Sequence, residues 1–180
     1  MKMKTKKKIA LGLVLSMGLT LFAGCGNSGD TNKEGASEES TGTAIKIGGT
    51  GPLTGGASIY GIAAKQGAEI AVEEINAMGG LQFELRYEDD AHDAEKAVNA
   101  YNTLKDWGMQ LSLGSVTSTP CTATAAENYN DRIFALTPSA SAPSVTEGKD
   151  NVYQMCFSDP NQGLASAQYI SEQNLGSKIA

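Results

Sequence analysis

Two short segments rich in side-chain hydroxyls are the part of this chain best suited to chemistry. They are residues 114–120 (GSVTSTP) and residues 137–143 (TPSASAP), and each follows a short apolar run. Hydroxyl groups that donate and accept hydrogen bonds, with few charges around them, suit a small polar or zwitterionic molecule. In an open parallel α/β sheet, ligands bind beyond the carboxyl ends of the strands. We therefore expect the two segments to be neighbouring loops of one binding site.

Catalytic and metal-binding patterns are weak elsewhere. His92 is the single histidine, so no base is evident for a serine or cysteine nucleophile. Residues 89–93 (DDAHD) contain metal-ligand types, but they follow a predicted strand and lead into a helix cap, which favours a solvated acidic loop. Residues 48–53 (GGTGPL) lack the third glycine of a dinucleotide fingerprint. We expect no catalytic activity, no metal site and no cofactor.

Strand and helix patterns alternate along the chain and would position the two segments. The predicted strands are 44–49, 81–87, 111–113, 133–136 and 152–157. The predicted helices are those around 64–78, from the cap at Asp93 to about Trp107, at about 120–130 and at 162–175. Such alternation predicts an α/β fold, a doubly wound and mostly parallel sheet with helices on both faces. Residues 44–157 are enough for one domain.

Two of the predicted helices carry apolar stripes that indicate their buried faces. In the first, the stripe recurs at spacings of three and four residues, at Ala64, Ala68, Ala71, Ile75 and Met78. In the second, the predicted buried residues are Ala97, Val98, Tyr101, Leu104 and the region of Trp107.

The first 24 residues have the pattern of an export signal. Five lysines precede an apolar run over residues 9–22, which is shorter than the ~20 residues of a membrane span. Residues 21–25 (LFAGC) resemble a bacterial lipobox, in which the cysteine is diacylated. Phe22 takes the place of the usual leucine. We predict a lipoprotein signal peptide over 1–24 and lipidation of Cys25; the alternative is an ordinary signal peptide with an incidental cysteine.

Residues 25–43 predict a disordered tether that follows the lipidated cysteine. Residues 26–43 contain no large apolar side chain, and such a composition does not repay the entropy of ordering. A flexible chain of this length reaches about 25 Å.

The charge distribution excludes some classes of partner. The chain has 14 basic and 20 acidic residues, and five lysines but no acid precede Cys25. The rest therefore has nine basic residues against 20 acidic ones, a net charge of −11. An acidic protein without a basic cluster is a poor partner for nucleic acid or anionic lipid. We expect no nucleic acid, and membrane contact through a lipid anchor only.

The order of these motifs resembles the leucine/isoleucine/valine-binding protein family. These are extracytoplasmic substrate-binding proteins of ABC transporters with the type I periplasmic-binding-protein fold. The resemblance rests on residues 45–54, 60–61 (YG), 67–69 (GAE), 75–80 (INAMGG), 87–93, 114–120, 137–143 and 159–163 (DPNQG). It implies that 44–157 is the first lobe of a two-lobe clamp, that 158–180 begins the second lobe, and that the chain is truncated.

The resemblance also implies roles for residues of the first hydroxyl segment and for one aromatic. Ser118 would bind the ligand's α-carboxylate. Thr119 would cap the helix that follows, with Pro120 at its first position, because a helix N-terminus attracts anions. Tyr60 would lie near the mouth of the cleft. Without the resemblance, the simplest interpretation is that these residues only form local turns, helix caps and packing contacts.

In the second segment, the resemblance implies which groups bind the ligand's ammonium. The backbone carbonyl of Ser139 and the hydroxyl of Ser141 would accept from the ammonium, and Ser141 would also help to hold the carboxylate. Ser141 replaces the commoner threonine of the family.

The function implied is that of a monomeric lipoprotein on the outer face of the bacterial cytoplasmic membrane. It would capture an amino acid, branched-chain or otherwise apolar, and deliver it to an ABC permease. The alternatives are a ligand-sensing ectodomain of a signalling receptor, a binder of a short amide or urea, and a hydrolase with its nucleophile outside these residues.

Two cysteines remain after Cys25. Cys121 and Cys156 could form a disulfide, as exported proteins often do, or remain as small apolar free thiols. The resemblance implies that some relatives carry a disulfide between the positions of His92 and Thr117, which is absent here.

Overall fold

The computed structural model describes residues 43–176 and residue 178. The predicted signal peptide, Cys25 and the tether up to residue 42 lie outside the described residues. Within the described part, no helix is both long enough and apolar enough to cross a membrane. The predicted boundaries between the signal, the tether and the two lobes stay predictions.

Five parallel strands form one sheet, and four helices connect or follow them. The strands are β1 (Ile45–Gly51), β2 (Phe83–Asp89), β3 (Leu111–Leu113), β4 (Phe134–Thr137) and β5 (Val152–Gln154). The helices are α1 (Ser58–Ala77), α2 (Ala94–Asp106), α3 (Ser118–Asp131) and α4 (Asp159–Glu172), with a short 3-10 turn at Pro143–Val145. The strand order is β2-β1-β3-β4-β5, with every pairing parallel. This is a doubly wound order, and the predicted fold class is confirmed.

Helix α1 packs on the sheet through a face that the apolar stripe predicted only in part. Ala64 and Ala68 are half-buried as expected, but Ala71, Ile75 and Met78 are exposed. The inner face instead continues through Asn76, whose side chain accepts from Phe83 N and donates to Phe83 O, both at 2.8 Å. A polar residue therefore occupies this inner position because it ties the end of α1 to the start of β2.

The start of α1 lies unusually close to the chain that leaves β1. Gly61 is buried, and a Cβ atom there would lie 2.0 Å from the carbonyl oxygen of Pro52. Glycine is required where two backbones approach so closely. Gly67, two turns further along the same helix, has no atom within 4 Å of such a Cβ position.

Helix α2 forms as predicted and covers one part of the core. The side chain of Asp93 caps it by accepting from Lys96 N at 2.9 Å. Tyr101 and Leu104 are buried against Met109, with Trp107 packed beside them. A second buried cluster lies beneath the two hydroxyl segments and consists of Cys121, Ala125, Ala135, Ala140, Val145 and Val152.

Several element boundaries differ from the predicted ones. The second strand begins at Phe83, because Leu81 is 57% exposed and does not extend the sheet. Strand β4 covers Phe134–Thr137, and β5 is a three-residue strand that ends at Gln154. Helix α4 begins at Asp159, three residues before the predicted start, with a proline in its first turn. Proline fits there because the first N–H groups of a helix have no partner within it.

Candidate functional site

The carboxyl ends of the strands meet at one edge of the sheet and surround a cavity of about 300 Å³. The order reverses between β1 and β3, which is where doubly wound sheets bind ligands. The eight lining residues are Tyr60, His92, Val116, Thr117, Ser118, Thr119, Ser139 and Ser141. All five residues predicted for the ligand site are therefore brought together, from α1 and both hydroxyl segments.

A larger concavity of about 770 Å³ lies beside β5. Its lining includes Tyr153, Cys156 and Phe157, and the two aromatic rings are half or more exposed. It borders the end of the second hydroxyl segment at Pro143, but it shares no lining residue with the smaller cavity and contains none of the serines predicted for the ligand. The smaller cavity is therefore the better candidate for a polar ligand.

Ser118 joins the two hydroxyl segments. Its Oγ atom accepts from Ser141 N at 3.2 Å and from Ala142 N at 3.3 Å. A hydroxyl has two acceptor lone pairs and one donor proton, so these amides occupy the lone pairs and leave the proton. That proton remains available to an anionic group of a ligand in the cavity.

The predicted cap of α3 is wrong. The helix begins at Ser118, so Thr117 is the N-cap residue, and it makes no side-chain capping bond. Thr119 lies in the first turn, where it lines the cavity but caps nothing. Pro120 is the third residue of the helix. Proline fits there because the first N–H groups of a helix have no partner within it, and proline has no N–H. The N–H groups in the first turn of a helix point toward its N-terminus, and Thr117, Ser118 and Thr119 at this N-terminus line the cavity.

The second hydroxyl segment is held by buried polar groups. Thr137 Oγ1 donates to Ser115 O at 2.8 Å and accepts from Ala140 N at 3.2 Å. Gln154 Nε2 donates to the carbonyl oxygens of Ala140 and Ala142, at 2.6 and 3.2 Å. The backbone that carries Ser139 and Ser141 is thus fixed by the protein itself.

The acidic segment at the end of β2 is only in part the solvated loop that the sequence predicts, because His92 and Asp93 are exposed but Asp90 lies in the interior. Asp90 is completely buried, and its Oδ1 accepts from His92 N at 2.9 Å. Burial raises the pKa of the Asp90 carboxyl, and hydrogen bonds from His92 N and the Ser115 hydroxyl oppose that rise. Ser115 Oγ also lies 2.6 Å from Thr50 Oγ1. These groups form a buried polar floor beneath the cavity.

Asp89 has a separate structural role. Its carboxylate accepts from Leu53 N at 2.7 Å, from Thr54 Oγ1 at 2.6 Å and from Ala91 N at 2.8 Å. Partial burial opposes ionisation, but these hydrogen bonds outweigh it and lower the pKa of Asp89. Asp89 therefore ties the loop after β1 to the end of β2. Among the residues described, no three acidic, histidine or cysteine side chains are grouped as a metal site would require.

His92 is the cavity residue that sequence reasoning missed. It is exposed on the cavity wall, and its Nδ1 lies 2.8 Å from Thr117 Oγ1. The available signal was its place directly after β2, a strand whose carboxyl end lies at the same edge as the hydroxyl segments.

The two cysteines are free thiols in the structure. Cys121 is buried, and burial raises the pKa of its thiol to about 12. Cys156 is partly buried, and its Sγ donates to Ala140 O at 3.4 Å. The disulfide considered from the sequence is not formed here, and both thiols contribute to packing around the second hydroxyl segment.

Comparison with known proteins places the chain in a family. A family model described as periplasmic binding protein matches residues 44–180. The chain is 34% identical over 140 residues to "Leu/Ile/Val-binding protein homolog 3" of Brucella melitensis, covering 76% of this chain and 38% of that protein. It is 36% identical over 143 residues to the Leu/Ile/Val-binding protein BraC3 of Rhizobium johnstonii, with the same coverage.

Solved structures agree with the predicted first lobe of a type I periplasmic-binding-protein fold. A leucine-binding protein, LivK, of Thermotoga maritima superposes with a TM-score of 0.68 at 33% identity, covering 75% of this chain and 39% of that one. The branched-chain amino-acid protein LivJ of Streptococcus pneumoniae, solved with isoleucine, gives 0.67 at 30% identity, covering 72% and 38%. This chain thus spans less than two-fifths of the length of the relatives it matches. It belongs to the periplasmic binding protein family.

Proposed function

We propose that these residues form the ligand-binding lobe of an extracytoplasmic protein that captures an apolar amino acid for an ABC importer. The observation that carries the proposal is the cavity at the strand ends, where Ser118, Ser139 and Ser141 converge beside the N-terminus of α3. Relatives named for leucine, isoleucine and valine support the choice of ligand, as does a Desulfitobacterium hafniense substrate-binding protein solved with leucine.

The chemistry of the cavity suits the two charged groups of an amino acid. The free proton of Ser118 and the first turn of α3 would face the α-carboxylate, because a helix N-terminus favours an anion. The carbonyl of Ser139 and the hydroxyl of Ser141 would accept from the ammonium. Tyr60, 61% exposed on α1, would lie at the mouth. A volume of about 300 Å³ is at the lower end for small-molecule sites.

Binding without catalysis is the activity that this arrangement supports. The oxygen of Ser118 accepts from two backbone amides, and the Nδ1 of His92 is engaged by Thr117. The contacts of Ser118 do not activate it as a nucleophile, since activation needs a base that accepts the hydroxyl proton and both of these amide partners are donors. We propose a monomeric binding protein without enzymatic activity, cofactor or nucleic-acid partner.

A binding panel on a chain of the relatives' length tests the proposal. Calorimetry should show binding of leucine, isoleucine or valine, with no heat from urea or acetamide. Binding of urea or acetamide without any apolar amino acid would support the alternative of a short-amide binder. Uptake of radiolabelled leucine by a strain lacking the gene separates transport from sensing, because a sensing ectodomain would leave uptake unchanged.

Anchoring at Cys25 is the second part of the proposal, and it yields a prediction. The basic, apolar and small-residue order that ends at Cys25 supports diacylation there. We expect Cys25→Ala to abolish incorporation of radiolabelled palmitate and to release the protein from the membrane fraction. Cys156→Ala is the matched control and should leave both unchanged. Full membrane association of Cys25→Ala would remove the lipoprotein assignment.

A further inference from the structure

We propose that His92 contacts the ligand's carboxylate and makes amino-acid binding stronger at acidic pH. The inference rests on the proposed amino-acid site and adds a residue that lies outside the two hydroxyl segments. His92 lines the same cavity as Ser118 and Ser141.

The position of His92 is fixed by its backbone conformation and by two hydrogen bonds. Its backbone has φ of 61°, a left-handed conformation that histidine and asparagine adopt more readily than most residues. Its N–H donates to the buried carboxylate oxygen Oδ1 of Asp90 at 2.9 Å. Its ring Nδ1 lies 2.8 Å from Thr117 Oγ1. The imidazole is therefore held beside the first residue of α3, Ser118, before any ligand arrives.

These contacts leave one ring nitrogen for a ligand. With Nδ1 engaged by Thr117, only Nε2 is available to a molecule in the cavity. A protonated imidazole has a donor at each nitrogen, so it can donate to Thr117 through Nδ1 and to an anion through Nε2. The carboxylate proposed to lie at Ser118 and the N-terminus of α3 is the group of the ligand that this nitrogen would meet.

The charge of His92 would matter because the wall around it is otherwise uncharged. None of the described residues lining the cavity is lysine or arginine. Titratable groups near His92 come from three elements: Asp89 and Asp90 at the end of β2, Asp93 at the start of α2, and Tyr60 on α1. Asp90 is the buried carboxyl that interacts with the charge of His92.

The direction of the pH effect follows from these charges. Histidine changes charge between about pH 5 and pH 8, whereas a free amino acid such as leucine remains a zwitterion over that range. Protonation of His92 therefore adds a positive charge facing an unchanged carboxylate, and the affinity should increase as the pH falls. Because the pair of imidazolium and carboxylate is partly exposed to water, we expect the affinity for the amino acid to increase by roughly 5- to 10-fold.

The test compares wild type with His92→Asn in a chain of the relatives' length. Asparagine also adopts the left-handed conformation and can bond Thr117, but it does not titrate, and Asp90 is left in place. Calorimetry of leucine at about pH 5.5 and about pH 8 should show tighter binding at the lower pH for wild type. His92→Asn should bind equally at both values, to within about 2-fold, and no more tightly than wild type at the higher pH.

A second variant separates His92 from its neighbour. Asp93→Asn removes an adjacent carboxylate and keeps a side chain that caps helices well. The difference in leucine affinity between the two pH values, the pH step, should therefore persist in this variant. Equal pH steps in wild type and His92→Asn, or loss of the step in Asp93→Asn, would overturn the role of His92 while leaving the amino-acid site intact. Failure of wild type to bind any apolar amino acid at either pH would overturn both proposals. Thermal melts at each pH confirm that all three proteins are folded.

Discussion

Ser118→Ala is expected to weaken amino-acid binding more than any other single change in the cavity. Loss of a hydrogen bond to a charged group removes ~1.5–3 kcal/mol, which raises the dissociation constant by roughly 10- to 150-fold. Ser141→Ala should fall in the same range. Ser118→Ala should lie at the upper end, because its oxygen also accepts from Ser141 N and Ala142 N and so positions the second segment as well.

Ser139→Ala is the matched control for these two variants. We propose that this residue acts through its backbone carbonyl, which alanine retains, so its dissociation constant should change by less than about 3-fold. Calorimetry with leucine gives the three affinities, and thermal melts show whether each variant is folded. If Ser139→Ala weakens binding as much as Ser118→Ala does, the assignment of Ser139 to a role through its backbone carbonyl is wrong.

Gly61→Ala should destabilise the lobe by about 3 kcal/mol or more. The added Cβ would lie 2.0 Å from Pro52 O and 2.6 Å from Pro52 C. Both are backbone atoms, which no change of rotamer can move. Relief requires a shift of α1 or of the chain leaving β1, and that chain is tied to Asp89 through Leu53 N.

Gly67→Ala is the control in the same helix. A Cβ there meets nothing within 4 Å, and alanine favours a helix interior by up to ~1 kcal/mol over glycine. Urea denaturation should therefore place the midpoint of Gly61→Ala below that of wild type and the midpoint of Gly67→Ala at or above it. Equal midpoints for Gly61→Ala and wild type would show that α1 does not approach Pro52 so closely.

The features that could be predicted from the sequence are those encoded by local pattern. Alternating strand and helix signals predicted the α/β sheet, and Asp93 was recognised as a helix cap because its side chain acts three residues away. The hydroxyl segments were found because parallel strands end at a common edge. Chain order and strand direction are sufficient for that inference.

The features that could not be predicted depend on contacts between distant residues. Thr137 reaches Ser115 across 22 positions, and Thr50 reaches Ser115 across 65, so no local pattern reveals the buried polar floor. Asp90 looked like a surface acid because burial is a property of the packed sheet. Asn76 interrupted the apolar stripe of α1 for a similar reason, since its partner Phe83 belongs to the next strand.

The link between His92 and Thr117 has a consequence for how the lobe matures. The family resemblance implies that some relatives have a disulfide between these positions. Such a bond would close a loop across a separation of 25 residues, and by restricting the unfolded chain it would stabilise the fold by about 3–4 kcal/mol. A single hydrogen bond contributes about 1 kcal/mol. This lobe can therefore form the connection without an oxidising catalyst, and thiol reductants should leave it intact.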